Sequence, residues 1–277
     1  MLQRIQNFCR ACLAGRLKRH AGAAGLLAKS VEEHFDSWEQ RLQNTLRSIS
    51  ACPCRIRLAK QEDGPEILQL VQQNLLHHEP LLRTLNIRQT PASGQLVEYI
   101  GQQLREGFTL VAQDERARIV GAAIGKRSCQ WDGKQLLERA DRTQCNQLRK
   151  LFYIWSIVEA EPNLHQHFCT HCLYEIAFLV TAVDSQRQGI GLHLTLHSLQ
   201  LARQLGFQFA RMNCTCEYSA RIATKAGLEC HWTVAYHQLV DSTEQPVVRP
   251  ESPHTHIKVH ATSLFPGCPL NPHAGRP

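Results

Sequence analysis

The chain has 277 residues, of which 43% are hydrophobic and 20% are charged, a globular composition that excludes collagen-like and disordered chains. Its net charge of +7 arises near the start, because residues 1–31 hold six basic and no acidic residues, which leaves 25 basic and 24 acidic residues elsewhere. The rest of the chain therefore gives no indication of a nucleic-acid-binding surface. No apolar run reaches the ~20 residues that span a bilayer. Twelve cysteines without a secretory signal predict free thiols.

Residues 1–50 are predicted to form a basic amphipathic leader and linker. Leu2, Ile5, Cys9 and Leu13 recur at helical spacing between basic residues. Two interpretations of this leader remain open, a mitochondrial transit peptide and a loosely helical or disordered extension. We therefore expect the protein in the cytoplasm or, if the leader is a targeting signal, in the mitochondrial matrix.

From residue 54 onward, short strand-like runs alternate with segments of helical periodicity. The predicted strands cover residues 54–59, 109–113, 118–126, 174–183, 207–214, 231–239 and 256–262. The predicted helices cover residues 62–77, 95–105, 145–159, 190–205 and 217–226, after a linker helix at 31–46. This alternation predicts one α/β domain over residues 54–264, followed by a flexible tail at 265–277.

The stretch 178–191 predicts an anion-binding turn. An apolar strand leads into Gln186-x-x-Gly189-x-Gly191, and a leucine-rich helix begins there. The amides and the dipole at a helix N-terminus attract phosphate, and glycine lets the main chain approach it closely. A dinucleotide fingerprint would have a third glycine where Leu194 lies, so that motif is not indicated. Ordinary tight packing at the two glycines is the alternative explanation.

The turn resembles the acyl-CoA pyrophosphate motif of the GNAT N-acetyltransferase superfamily. Residues 213–230 contain the run Cys-Thr-Cys-Glu-Tyr-Ser-Ala and are similar to the arylalkylamine N-acetyltransferase-like branch of invertebrates. Further similarities occur in order at Arg55-Ile-Arg, His78-Glu-Pro-Leu-Leu, Ile119-Val-Gly-Ala and Pro253-His-Thr-His. The resemblance spans residues 54–264. It implies the α/β GNAT fold, with a mixed, mostly antiparallel central sheet of about seven strands flanked by helices.

The resemblance also implies acetyl-CoA as co-substrate and no metal. In the superfamily, a backbone amide on the fourth strand polarises the thioester, and the turn binds the pyrophosphate. The cofactor-binding residues implied in this way are Thr181, Ala182, Val183, Gln186, Arg187, Gln188, Gly189, Ile190 and Gly191. Arg187 departs from the pattern, since glycine is common at its position. Its guanidinium either contacts a CoA phosphate or points to solvent.

Glu79 is the predicted general base. An alkylammonium ion has a pKa of about 10 and must lose a proton before the amine attacks, and the resemblance assigns this role to the Glu of the Glu-Pro motif. A plain turn carboxylate is the alternative. Ser219 and Thr215 match the hydroxyl groups that the branch places near the thioester, while helix capping by Thr215 and packing by Ser219 remain open. Ala223 occupies the position at which many relatives have a tyrosine acid.

These observations predict an acetyl-CoA-dependent N-acetyltransferase that acts on a primary amine. By resemblance, the amine is an arylalkylamine such as dopamine, tyramine, serotonin or tryptamine. We expect direct transfer in a ternary complex, and a monomer with no nucleic-acid partner. Two alternatives remain, a non-catalytic CoA-binding relative and a zinc-binding module that uses the cluster from His165 to Cys172.

Overall fold

The computed structural model describes residues 40–241 and 243–265. Most of the predicted leader, and the tail from residue 266, lie outside this range. The first described segment, 40–48, is helical, and its Leu42 is buried. Within the described residues, no helix has the length and apolar character that crossing a membrane requires.

Seven strands form one sheet in the order β1-β2-β3-β4-β5-β7-β6. Neighbouring strands are antiparallel, except that β4 and β5 are parallel. The strands are β1 (Arg55–Leu58), β2 (Leu110–Gln113), β3 (Ile119–Cys129), β4 (Cys172–Thr181), β5 (Phe209–Cys214), β6 (Glu229–Ala235) and β7 (His256–Ser263). The prediction of a mixed, mostly antiparallel sheet of about seven strands is confirmed.

Helices cover both faces of the sheet. They are α1 (Gly64–Leu70), α2 (Leu76–His78), α3 (Pro80–Thr84), α4 (Ala92–Leu104), α5 (Asp132–Arg142), α6 (Asn146–Ala160), α7 (Leu164–His167), α8 (Ile190–Gln204) and α9 (Glu217–Lys225). A π-helical turn, Val71–Leu75, connects α1 to α2, so the predicted helix at 62–77 is continuous but locally widened.

Alternate strand residues enter two different apolar clusters, as the two-residue period of a strand requires. In β2, Leu110 and Ala112 join the cluster that contains α8 and α9, whereas Val111 joins the cluster of α1, α4 and α6. The second of these faces carries the site described below.

The sequence-based prediction missed α5 and the two short helices α3 and α7. In α5, the buried positions are Leu136 and Ala140, too few to give a clear apolar stripe. The helix is packed against α6, where a Cβ on Gly133 would lie 3.1 Å from the Ser156 carbonyl oxygen. Tertiary packing therefore stabilises a segment whose own sequence is mostly polar.

Candidate active site

A cavity opens where β4 and β5 separate. The two strands are paired only from Tyr174 and Ala210 to Ile176 and Met212. Beyond that point both strands continue, and a register shift in the neighbouring β3–β4 pair leaves Ala177 unpaired, which is the geometry of a β-bulge. The cavity has a volume of about 120 Å³ and is lined by residues 175–179 of β4 and by the end of β5.

Glu79 reaches this cavity from the bend between α2 and α3. One carboxylate oxygen accepts the amide hydrogen of Leu82 at 2.7 Å and so caps α3. The other accepts the hydroxyl of Thr215 at 2.7 Å. Burial raises the pKa of Glu79, and these two hydrogen bonds to the charged form oppose the rise. Glu79 is therefore both a helix cap and a carboxylate that binds a proton more readily than a surface Glu.

Thr215 and Ser219 lie in the same cavity as Glu79. The residue that caps α9 is Cys216, whose sulfur accepts the Ser219 amide hydrogen at 3.4 Å, so the capping role considered for Thr215 is wrong. The Ser219 hydroxyl donates to the Cys216 carbonyl oxygen at 2.9 Å. Tyr236, which the sequence did not single out, donates its hydroxyl to the Thr215 carbonyl oxygen at 2.6 Å. The structure thus brings the three predicted catalytic residues together, while their roles remain predictions.

Charged side chains form one side of the cavity. Lys126 on β3 is paired in register with Glu175 on β4, and Glu175 with Arg211 on β5, so the three side chains lie in one row. The Lys126 ammonium nitrogen is 3.1 Å from Glu175 Oε2 and also contacts Asp132. The buried Arg211 guanidinium is 2.7 Å from Glu159 Oε2. The strands β3, β4 and β5 thus contribute one charged residue each to this row. Helix α5 adds the carboxylate of Asp132, and helix α6 adds that of Glu159.

Asn213 connects two of these carboxylates. Its side-chain amide donates to Glu159 at 2.9 Å and to Glu175 at 3.0 Å. Burial, together with the charge of Glu159, raises the pKa of Glu175 to about 7. Burial also acts on Glu159, but the Arg211 and Lys126 charges outweigh it and lower the pKa of that carboxyl. The proton that this network binds most readily therefore resides on Glu175.

The predicted phosphate-binding turn precedes α8. Gly189 has φ 79° and precedes the first helical residue, Ile190. Arg187 has φ 63°, in the left-handed region that favours glycine, which gives a physical reason for the glycine usual at that position. A Cβ on Gly191 would lie 3.1 Å from Ile222 Cδ1, so this glycine permits the close approach of α8 and α9. The Gln186 side chain donates to the Thr181 carbonyl oxygen at 3.4 Å, across the turn.

The amides predicted to contact the thioester are only partly accessible. Val183 donates its amide hydrogen to Asn74 at 3.0 Å, and Ala182 donates to the Val120 carbonyl oxygen at 2.8 Å. Thr181, the last residue of β4, is not among the cavity-lining residues. The part of β4 that lines the cavity is 175–179, which precedes the predicted residues 181–183.

No protein-family model matches the chain, but solved structures do. Arylalkylamine N-acetyltransferase 2 from Aedes aegypti is 19% identical and superposes with a TM-score of 0.71 over 76% of this chain and 99% of that chain. The chain has the GNAT fold. An agmatine N-acetyltransferase (20% identity, TM-score 0.70) and the polyamine N-acetyltransferase of Drosophila melanogaster (21%, 0.69) match over the same shares. These neighbours confirm the fold predicted from the sequence resemblance.

Two features of this GNAT fold bear on the alternatives considered from the sequence. Ala223, which replaces the tyrosine acid of many relatives, is fully buried on α9. In the proposed zinc cluster, the ring nitrogens of His165 lie 3.3 Å from the Thr170 carbonyl oxygen and 3.5 Å from the Ser128 hydroxyl. Among the described residues, ligand atoms converge instead in Asp132, Glu159 and Glu175, and Lys126 and Arg211 already pair with these carboxylates. The structure therefore gives the zinc alternative no support.

The sequence carries a signal for two members of this charged row. Glu175 and Arg211 are each the one charged residue of their strand, whereas Lys126 adjoins Arg127 towards the end of β3. A charged residue is almost never fully buried unless it is paired. Glu175 and Arg211 are therefore expected to pair with groups of opposite charge, but the sequence does not indicate which ones.

Proposed function

We propose that this protein transfers an acetyl group from acetyl-CoA to a primary amine, with Glu79 as general base. The observation that carries the proposal is the position of the Glu79 carboxylate, with its raised pKa and its hydrogen bond from Thr215, in the opening between β4 and β5. The structural neighbours are N-acetyltransferases of the same fold, which supports this chemistry.

Glu79 would receive the proton of the incoming ammonium group, directly or through a water molecule. A base is most effective when its pKa lies near the working pH, and burial moves Glu79 in that direction. The Thr215 hydroxyl, which donates to Glu79, fixes the direction of the carboxylate. Ser219 is the hydroxyl we assign to the departing thiolate, since Ala223 has none.

For acetyl-CoA, we assign the pyrophosphate to Gln186, Arg187, Gln188 and the amides that begin α8, where free N–H groups and the helix dipole favour an anion. Thr181, Ala182 and Val183 would line the path of the pantetheine arm. Because the amides of Ala182 and Val183 are already bonded, we assign the polarising contact to an amide of residues 177–179, which line the cavity.

The finer substrate class we propose is an arylalkylamine. Tyr99, Trp155 and Phe178 line the cavity, with ring centroids 5.9 Å apart between Tyr99 and Trp155 and 5.7 Å apart between Trp155 and Phe178. Such rings favour edge-to-face contact with an aromatic group of a ligand.

Thiol release from acetyl-CoA in the presence of dopamine, tyramine, serotonin or tryptamine tests the proposal, with the N-acetyl product identified by mass. We expect amine-dependent release by the full chain and a large loss with Glu79→Gln, which also controls for contaminating enzymes. Binding of CoA without release by any amine would instead establish a non-catalytic CoA-binding protein.

A further inference from the structure

The amide of Val183 is bonded to a side chain where the chain leaves β4. Thr181 is the last residue of this strand, and the next amide, that of Ala182, still belongs to the sheet because it donates to the Val120 carbonyl oxygen at 2.8 Å. The Val183 amide instead donates to Oδ1 of Asn74 at 3.0 Å, and Val183 itself is half exposed. This N–H therefore lies just beyond the strand and is held by a side chain, not by the sheet.

Asn74 reaches Val183 from the π-helical turn between α1 and α2. Its Nδ2 donates to the Leu70 carbonyl oxygen at 3.1 Å, so one end of the carboxamide is held by its own helix while the other bonds the end of the neighbouring strand. Leu75, the next residue of this turn, lines the cavity. Single π-helical turns are rare and frequently occur at functional sites. The turn thus brings a side-chain amide to the edge of the proposed CoA path.

The contact between Asn74 and Val183 is one that a ligand can replace. The hydrogen bond lies near solvent, where water can substitute for either partner, so its net contribution to stability is small. The bond that Ala182 donates to Val120 continues the pairing of β3 and β4 and is harder to open. Each residue has a single backbone N–H, so Asn74 and a ligand carbonyl exclude each other at Val183.

The pantetheine arm of CoA carries the matching acceptor. It contains amide groups whose carbonyl chemistry is that of the Asn74 side chain, and the proposed function places the arm along residues 181–183. An extended ligand that lies beside a strand is bound mainly through main-chain hydrogen bonds. Because the sheet uses the Ala182 amide, the Val183 amide is the donor that becomes available after the movement of one side chain.

We propose that Asn74 competes with CoA for the Val183 amide. In the closed arrangement the Asn74 oxygen occupies the position of a pantetheine carbonyl, and Asn74 turns away when CoA binds. The inference rests on the proposed use of acetyl-CoA and adds a determinant of its affinity. The measured Kd of CoA then equals the intrinsic Kd divided by the fraction of molecules in which the Val183 amide is free.

Calorimetric titration of CoA into the full chain and into Asn74→Ala tests this competition. Alanine is the best helix former, so the turn should keep its fold. The Kd of CoA should fall by about threefold to tenfold in Asn74→Ala, a factor that corresponds to the net free energy of one hydrogen bond. Gln73→Ala is the matched control, because it removes an exposed amide side chain from the same turn, and it should leave the Kd as it is.

A fragment of CoA without the pantetheine arm separates this effect from a change in the phosphate site. The fragment 3′-phosphoadenosine 5′-diphosphate should bind the full chain and Asn74→Ala with the same Kd. An equal gain for the fragment and for CoA, or an unchanged or higher Kd of CoA for a folded Asn74→Ala, would overturn the competition and leave acetylation standing. Tighter CoA binding by Asn74→Ala in a protein that acetylates no amine would support the competition and refute only the enzyme activity. CoA that binds none of these proteins would refute the proposed cofactor, and the inference with it.

Hydrogen exchange at the Val183 amide gives a second readout that needs no turnover. Exchange should be faster in Asn74→Ala than in the unmodified chain, because the hydrogen bond from Val183 to Asn74 is lost. CoA should slow the exchange again in Asn74→Ala, since the pantetheine carbonyl then accepts this hydrogen. Exchange in Asn74→Ala that bound CoA does not slow would show that the pantetheine takes no hydrogen from Val183 and would overturn the proposal.

Discussion

Replacing Glu175 with Gln should stabilise the protein at neutral and alkaline pH. The amide keeps an oxygen for the Asn213 hydrogen bond. It also removes a negative charge from a buried network in which three carboxylates (Asp132, Glu159 and Glu175) face two cations (Lys126 and Arg211). The effect must depend on pH, because at low pH Glu175 is itself uncharged.

The magnitude follows from the pKa of Glu175, which burial and Glu159 raise from 4.5 to about 7. Between those values the folded chain retains a proton that the unfolded chain has released, so stability falls as the pH rises through this window. At about 1.4 kcal/mol per pKa unit, the loss is on the order of 3 kcal/mol above pH 7. Glu175→Gln avoids this loss, which corresponds to roughly 6–12 °C in Tm for a domain of this size.

Thermal unfolding of both proteins at pH 5 and pH 8, followed by circular dichroism, measures the effect. The Tm difference between Glu175→Gln and the unmodified protein should be several degrees larger at pH 8. The control variant Glu115→Gln, an exposed change in the turn between β2 and β3, should show the same small Tm difference at both pH values. A Tm difference for Glu175→Gln that does not change with pH would contradict the charge assignment of the network.

Three further changes test other parts of the structure. Arg211→Met leaves the buried Glu159 carboxylate without its ion pair and should lower the free energy of unfolding by about 3–5 kcal/mol in urea titration; a loss below about 1 kcal/mol would contradict the pairing. Thr215→Val removes a hydrogen bond that stabilises the charged form of Glu79, so the pKa of Glu79 and the acid limb of the pH–rate profile should both move to higher pH. An unchanged acid limb would show that Thr215 does not act on the pKa of the base. Arg187→Gly places glycine at a left-handed backbone position and should stabilise the chain by up to about 1 kcal/mol. If the guanidinium contacts CoA, its removal should also raise the KM for acetyl-CoA several-fold. An unchanged KM would show that the Arg187 guanidinium points to solvent and does not contact CoA.

The strand, turn and helix at residues 172–204 could be predicted because their signals are local. An apolar run, a turn with glycine at a left-handed position and a leucine-rich helix are each encoded within a few neighbouring residues. The bend at Glu79 is encoded just as locally, because Pro80 begins a helix that Glu79 caps, but this short helix, α3, was predicted as a loop.

The charged row could not be predicted in the same way. Lys126, Glu175 and Arg211 are dozens of residues apart in the chain, and only the order of the strands makes them neighbours. The same is true of the hydrogen bond between Glu79 and Thr215, which joins two sides of the cavity. Such contacts depend on topology, which composition and periodicity do not specify.

The pH dependence of acetyl transfer by Glu79→Gln tests the central proposal most directly. A general base contributes about 10²–10⁴-fold, so kcat/KM should fall by that factor near neutral pH, and the acid limb that belongs to Glu79 should disappear. The deficit should shrink as the pH approaches the pKa of the amine, where free amine is abundant. A deficit of the same size at every pH would show that Glu79 positions the substrate or supports the fold and does not accept its proton.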